Sequence, residues 1–157
     1  MLKVSKNFSI VLSLVISVFF FLCCIAGLFI MPGLVKILIT LQNQLPGHQD
    51  IAGFSSILVL IASYGILADV MAADIMLFTL LLRIRKRLVF HSATVSLIRG
   101  VSWCCLLLCA IFCFLGIYFQ LSFIVALCAL FLGICLRVCK NAFEEAVSLK
   151  EENELTI

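Results

Sequence analysis

Polar positions are sparse along this chain, and where they gather they divide it into four apolar runs. The runs fall near Phe8–Met31, Ile51–Leu82, Thr94–Phe119 and Leu121–Leu136. About 20 apolar residues in a helix cross the hydrocarbon core of a bilayer. The pattern predicts an all-α membrane protein with four transmembrane helices in a bundle. Expected bounds are 8–31, 51–82, 94–119 and 121–140, in a single domain over 1–157.

The punctuation between runs sharpens the outline. Pro32 and Gly33 predict the end of the first helix. Leu34–Leu41 is apolar but short, and reads as an interfacial stretch or the start of a 32–50 outer loop. Pro46, Gly47, His48, Gln49 and Asp50 read as a polar turn. Ser92 or Thr94 would cap the third helix. The fourth is expected to run past the membrane through Phe143, Ala146 and Val147, within a tail over 141–157.

Composition agrees with this picture: 65% of residues are hydrophobic and 12% charged, against roughly half and a quarter in soluble domains. The first run could pass for a signal peptide behind Lys3 and Lys6. It is longer than a signal core and lacks a small-residue cleavage site, so a retained helix is expected.

Charge then orients the helices. Lys3 and Lys6 precede the first. Arg83, Arg85, Lys86 and Arg87 follow the second. Arg137, Lys140 and Lys150 follow the fourth, and Lys36 stands alone on the other side. Basic residues favour the cytoplasmic face, so both termini are expected there. No basic stripe with interleaved aromatics is present, which argues against direct nucleic-acid contact. No nucleophile elbow, phosphate loop, dinucleotide fingerprint or zinc-protease helix occurs, so neither an enzyme nor a cofactor is expected.

Two residue types could still carry chemistry. Asp69 and Asp74 lie within the second apolar run. Counting about 1.5 Å per residue from Arg83 places Asp74 roughly 13 Å deep and Asp69 roughly 21 Å deep. A carboxylate at such depth costs about 3 kcal/mol on insertion scales and must find a partner. Five residues separate the two, so they point about 140° apart on a helix. They could form a proton or cation site. Alternatively they are acids hydrogen-bonded to neighbouring helices, or the helix breaks near Ala68–Ala73 and lifts Asp69 to the interface. No basic residue stands at matching depth, and Arg99 would reach Asp74 only by turning inward.

The nine cysteines include the vicinal pairs Cys23-Cys24 and Cys104-Cys105. Thiolates suit soft metals, and such a pair resembles that of small mercury-uptake proteins, at the dipeptide alone. Packing accounts for the spacing better, because small residues line membrane helix contacts. Ser102, Cys105, Cys109, Cys113 and Gly116 would make one seam, and Ser122, Ala126, Ala129 and Gly133 its counterpart. No disulfide is expected. His48 and His91 lack a second ligand at metal spacing, and Tyr64, Trp103 and Tyr118 read as packing or interface aromatics.

The second half carries a recognisable pattern. It runs from Phe78-Thr79-Leu80-Leu81 through Ile84 to Phe90. Val95, Leu97 and Arg99 follow, and the chain closes with Glu151-Glu152-Asn153-Glu154-Leu155-Thr156-Ile157. This resembles domain-of-unknown-function family 2975, small four-helix bacterial membrane proteins that end in a variant of Glu-Asn-Asp-Leu-Thr-Ile. Here His91 stands in place of Ser, Ile98 in place of Leu, and Glu154 in place of Asp. Asp69, Asp74 and the cysteine pairs are not part of that pattern. The resemblance implies a non-enzymatic regulatory or partner-binding protein, with a helix-turn-helix transcription regulator as the implied cytoplasmic partner. Arg83, Arg85, Lys86, Arg87 and Glu151–Ile157 are the candidate contacts for that partner or for lipid. A small transporter, using Asp74 for protons or cysteines for soft metal, is the alternative. Homo-oligomers would suit a protein of this size, although no strong Gly-x-x-x-Gly seam argues for one.

Overall fold

The computed structural model describes residues 6–45, 51–86 and 92–155. They form α1 (Lys6–Asn43), α2 (Phe54–Arg85), α3 (Ser92–Gly116) and α4 (Ser122–Leu155). All four are long and apolar enough to cross a membrane. The solvent-facing logic of a soluble protein is inverted: Phe29 is 84% exposed, whereas Ser17, Asp74, Thr94 and Ser102 are buried. A bilayer explains this, because lipid is as good a solvent for Phe as a protein core, and polar groups must face protein. This is a multi-pass membrane protein.

The helices pack in chain order, α1 on α2, α2 on α3 and α3 on α4. Among the described residues the backbones of α1 and α4 do not meet, so the bundle is an open row with α2 and α3 in its middle. Neighbours are antiparallel. Gly27 faces Leu67, Gly65 faces Ile111, and Gly133 faces Cys105. Lys6, Arg85, Ser92 and Leu155 therefore stand toward one end of the molecule. At the opposite end Val35, Ile51, Val59 and Leu115 form a small apolar core.

The expected end of the first helix is wrong. α1 continues through Pro32 to Asn43, so Leu34–Leu41 is helix rather than interfacial segment or loop. Proline cannot donate to the carbonyl four residues back. Here that carbonyl is on Leu28, and the Tyr64 hydroxyl of α2 donates to it at 3.3 Å. A neighbouring helix thus supplies what Pro32 lacks, as membrane helices commonly require. After α1, Asn43 clamps the start of the next segment. Its amide donates to the Ile51 carbonyl at 3.2 Å and its oxygen accepts from the Ile51 N–H at 2.9 Å. Gly53 then turns with φ +58°, a conformation side chains resist, and α2 begins.

α2 is unbroken from Phe54 to Arg85, which removes the alternative of a break near Ala68–Ala73. It starts and stops a few residues later than expected. α3 ends at Gly116, short of Phe119, and the Phe123 ring lies over that glycine. A Cβ at Gly116 would come within 2.7 Å of that ring. α4 passes well beyond residue 140, so most of the expected tail is helix. Thr94 sits inside the first turn of α3, buried. The Pro46–Asp50 turn, His48, Arg87, His91, Thr156 and Ile157, and a cap by the Ser92 side chain, fall outside the described residues.

Candidate functional site

The two aspartates of α2 serve different neighbours. Asp74 faces α1, where the Ser17 hydroxyl donates to its Oδ1 at 2.8 Å. Both residues are buried, Asp74 at 7% exposure and Ser17 at 5%. Asp69 turns to α3, where the Cys104 thiol lies against its carboxyl. The 140° separation read from their spacing is realised as one carboxyl per flank of α2.

Their surroundings differ too. Asp74 and Ser17 border two clefts. One of about 250 Å³ is walled by Phe21, Leu22, Ile75 and Phe78. The other, of about 480 Å³, is walled by Phe20, Ala73, Leu77 and Val101 among others. Apart from Ser17, Ser13 and Asp74 the walls are apolar. A single hydroxyl partner offsets part of the insertion cost of Asp74. Asp69 is half-buried, yet its Oδ2 is enclosed and lacks a hydrogen-bond partner. Arg99 does not turn inward to either acid. It reaches Glu144 of α4 at 3.4 Å, and Lys140 pairs with the same carboxylate.

The cysteines are all free, and each vicinal pair is split between two environments. Cys24 and Cys104 are buried, Cys23 is exposed and Cys105 intermediate. Among the described residues no three His, Cys, Asp or Glu side chains converge as a metal site would need. The small-residue seam holds between α3 and α4 around Gly133. Ser102 is buried and donates to the Gly133 carbonyl at 3.0 Å. A Cβ at Gly133 would lie 3.3 Å from that of Cys105, and Ala126 is 2% exposed. Cys113 falls off the seam and is exposed.

The basic end gathers the remaining candidates. Arg83 is half-buried in the last turn of α2, with Arg85 and Lys86 exposed. α4 carries Glu151–Leu155 as helix; Glu152 is exposed. Val147 is buried at 7% in this extension, with Phe143 and Ala146 half-buried. The Arg99–Glu144 pair sets the extension alongside the first turns of α3, so its apolar stripe is already used within the molecule.

The model of the family described as "Protein of unknown function (DUF2975)" matches residues 40–157. The chain belongs to that family. The match reaches farther back than the Phe78–Ile157 pattern and takes in α2, α3 and α4, hence both aspartates and the basic end. Ser17 and Cys23-Cys24 of α1 precede it. No curated protein and no solved structure matches the chain.

Sequence reasoning did not find Ser17, the pairing of Cys104 with Asp69, or the Trp103–Arg137 contact, in which the guanidinium lies 4.9 Å from the ring centroid. A search for hydroxyls as well as bases at matching depth would have found Ser17. It stands about 17 Å along α1 from Lys6, close to the depth of Asp74.

Proposed function

We propose that this is a non-enzymatic protein of a bacterial cytoplasmic membrane that binds a soluble partner at its basic end. Both termini lie in the cytoplasm under this reading, because every basic residue except Lys36 belongs to that end or flanks it. The observation that carries the proposal is α4. It leaves the apolar zone near Arg137 and continues as one helix to Leu155, about 27 Å farther. A helix maintained beyond the membrane offers an ordered surface with an outward acidic face at Glu145 and Glu152. The partner class is a small helix-turn-helix regulator, held at the membrane by the end of α4 together with Arg83, Arg85, Lys86 and Arg87.

The test is affinity recovery from native membranes followed by mass spectrometry, comparing the full chain with one ending at Lys150. A small DNA-binding protein recovered with the full chain alone supports the proposal. Equal recovery with both chains removes the Glu151–Ile157 contact, and no soluble partner with either removes the regulatory reading. One observation favours the transporter alternative: Asp74 borders two clefts. Asp74→Asn should then abolish transport at unchanged membrane level. The soft-metal form of that alternative has no cluster of ligands behind it.

A further inference from the structure

A further cleft, itself lined by neither aspartate, is polar. It measures about 270 Å³ and opens between α3 and α4 at the basic end. Arg99, Ser102 and Trp103 of α3 line it, with Arg137, Lys140 and Asn141 of α4. Three cations therefore converge from two helices whose spacing is fixed by the Ser102–Gly133 contact below them. Arg137 is held against the Trp103 ring, which orients its guanidinium as a cation–π pair does. One carboxylate opposes them: Glu144 takes Arg99 and Lys140. Three positive charges against one negative leave the cleft cationic.

Its position identifies the occupant. Trp103 is 60% exposed, at the junction of the apolar and basic parts of α3, where tryptophan marks the headgroup level. The same indole borders an apolar groove of about 470 Å³ between α2 and α3. Gly100, Met76, Leu106 and Leu107 line that groove, with Asp69 and Cys104 as its polar members. A cationic cleft joined to an apolar groove across one interfacial tryptophan fits a ligand with an anionic head and a hydrocarbon tail. We infer that Arg99, Arg137 and Lys140 form a site for the phosphate of an anionic membrane phospholipid. Arginine takes phosphate oxygens in pairs and lysine as a point charge. Glu144 is the internal competitor that a headgroup displaces from Arg99 and Lys140. The site is separate from the Arg83–Arg87 block and does not depend on the regulatory reading.

The chain contains a single tryptophan, so tryptophan fluorescence reports the junction of this cleft and the groove. The full chain in a maltoside detergent would be titrated with dioctanoyl phosphatidylglycerol, with dioctanoyl phosphatidylcholine and with inorganic phosphate. A saturable change with phosphatidylglycerol is expected, at least tenfold tighter than with phosphatidylcholine, and not displaced by millimolar phosphate. Arg137→Gln with Lys140→Gln should weaken it at least tenfold, while Arg85→Gln with Lys86→Gln leaves it unchanged. Glu144→Gln should tighten it about threefold, a gain that misfolding cannot mimic. Equal response to both lipids, equal response to free phosphate, or weaker binding in Glu144→Gln would each overturn the inference.

Discussion

The two hairpins of this protein are held together by opposite means. α3 and α4 meet mainly through what their side chains lack: Gly133 lets backbone approach Cys105 and Ala126 is almost wholly covered, an approach close enough for the one added hydrogen bond, from Ser102 to a main-chain carbonyl. α1 and α2 meet through what side chains add. Ser17 binds Asp74, Tyr64 completes the turn broken by Pro32, and Gly27 meets Leu67 only at ordinary distance. In lipid, apolar burial gives helices little reason to associate, so close packing and hydrogen bonds must do it. The first hairpin relies on the second of these and the last hairpin on the first.

Substitutions at glycine should break the comparison most visibly. Gly133→Leu has no space beside Cys105 and Leu106, and a loss of about 3 kcal/mol is expected from overpacking. Gly27→Ala, with its nearest neighbour at 3.6 Å, should be neutral or gain up to about 1 kcal/mol of helix propensity. Chemical denaturation in detergent measures both, and equal losses would end the distinction.

Hydrogen-bond removal should act on the other hairpin. Ser17→Ala leaves a buried carboxyl unpaired and should cost about 1–2 kcal/mol. Adding Asp74→Leu should restore most of it, whereas Asp74→Asn keeps a partner for Ser17 and should cost less than Ser17→Ala. A similar cycle sharpens the role of the proline. Tyr64→Phe is expected to cost about 1 kcal/mol by freeing the Leu28 carbonyl. In a Pro32→Ala background that cost should vanish, because residue 32 then supplies its own N–H. A Tyr64→Phe penalty that survives Pro32→Ala would assign Tyr64 to packing alone.

The smallest expected effect has the reverse sign. Asp69 has an enclosed oxygen without a partner, so Asp69→Leu should stabilise by about 1 kcal/mol. Destabilisation on the same denaturation curve would mean that Cys104 contributes more to Asp69 than its position suggests.

What the sequence made legible follows the same division. Four helices were readable because polar residues collect where helices leave the membrane. The opposed directions of Asp69 and Asp74 were readable because five residues advance a helix by a fixed angle. The end of α1 was misread because proline stops a helix that has only its own backbone to draw on. The rescuing hydroxyl sits on Tyr64, in a different helix, and nothing near Pro32 in the chain announces it. Ser17 escaped notice because a buried acid suggests a base, and in lipid one hydroxyl serves. The extension of α4 was foreseen through Val147 from its apolar positions, and its continuation to Leu155 was not, because the acidic end lacks that periodicity.

The placement of the two acids also sets an order of events during synthesis. α2 is the least apolar of the four spans, and its two partners are made at different times. Ser17 precedes α2 in the chain, so Asp74 meets its hydroxyl as soon as α2 enters the bilayer beside α1. Cys104 follows α2, so Asp69 enters with nothing to face and waits for α3. The first hairpin thus satisfies Asp74 early, and α3 arrives as the element that shelters the remaining acid from lipid.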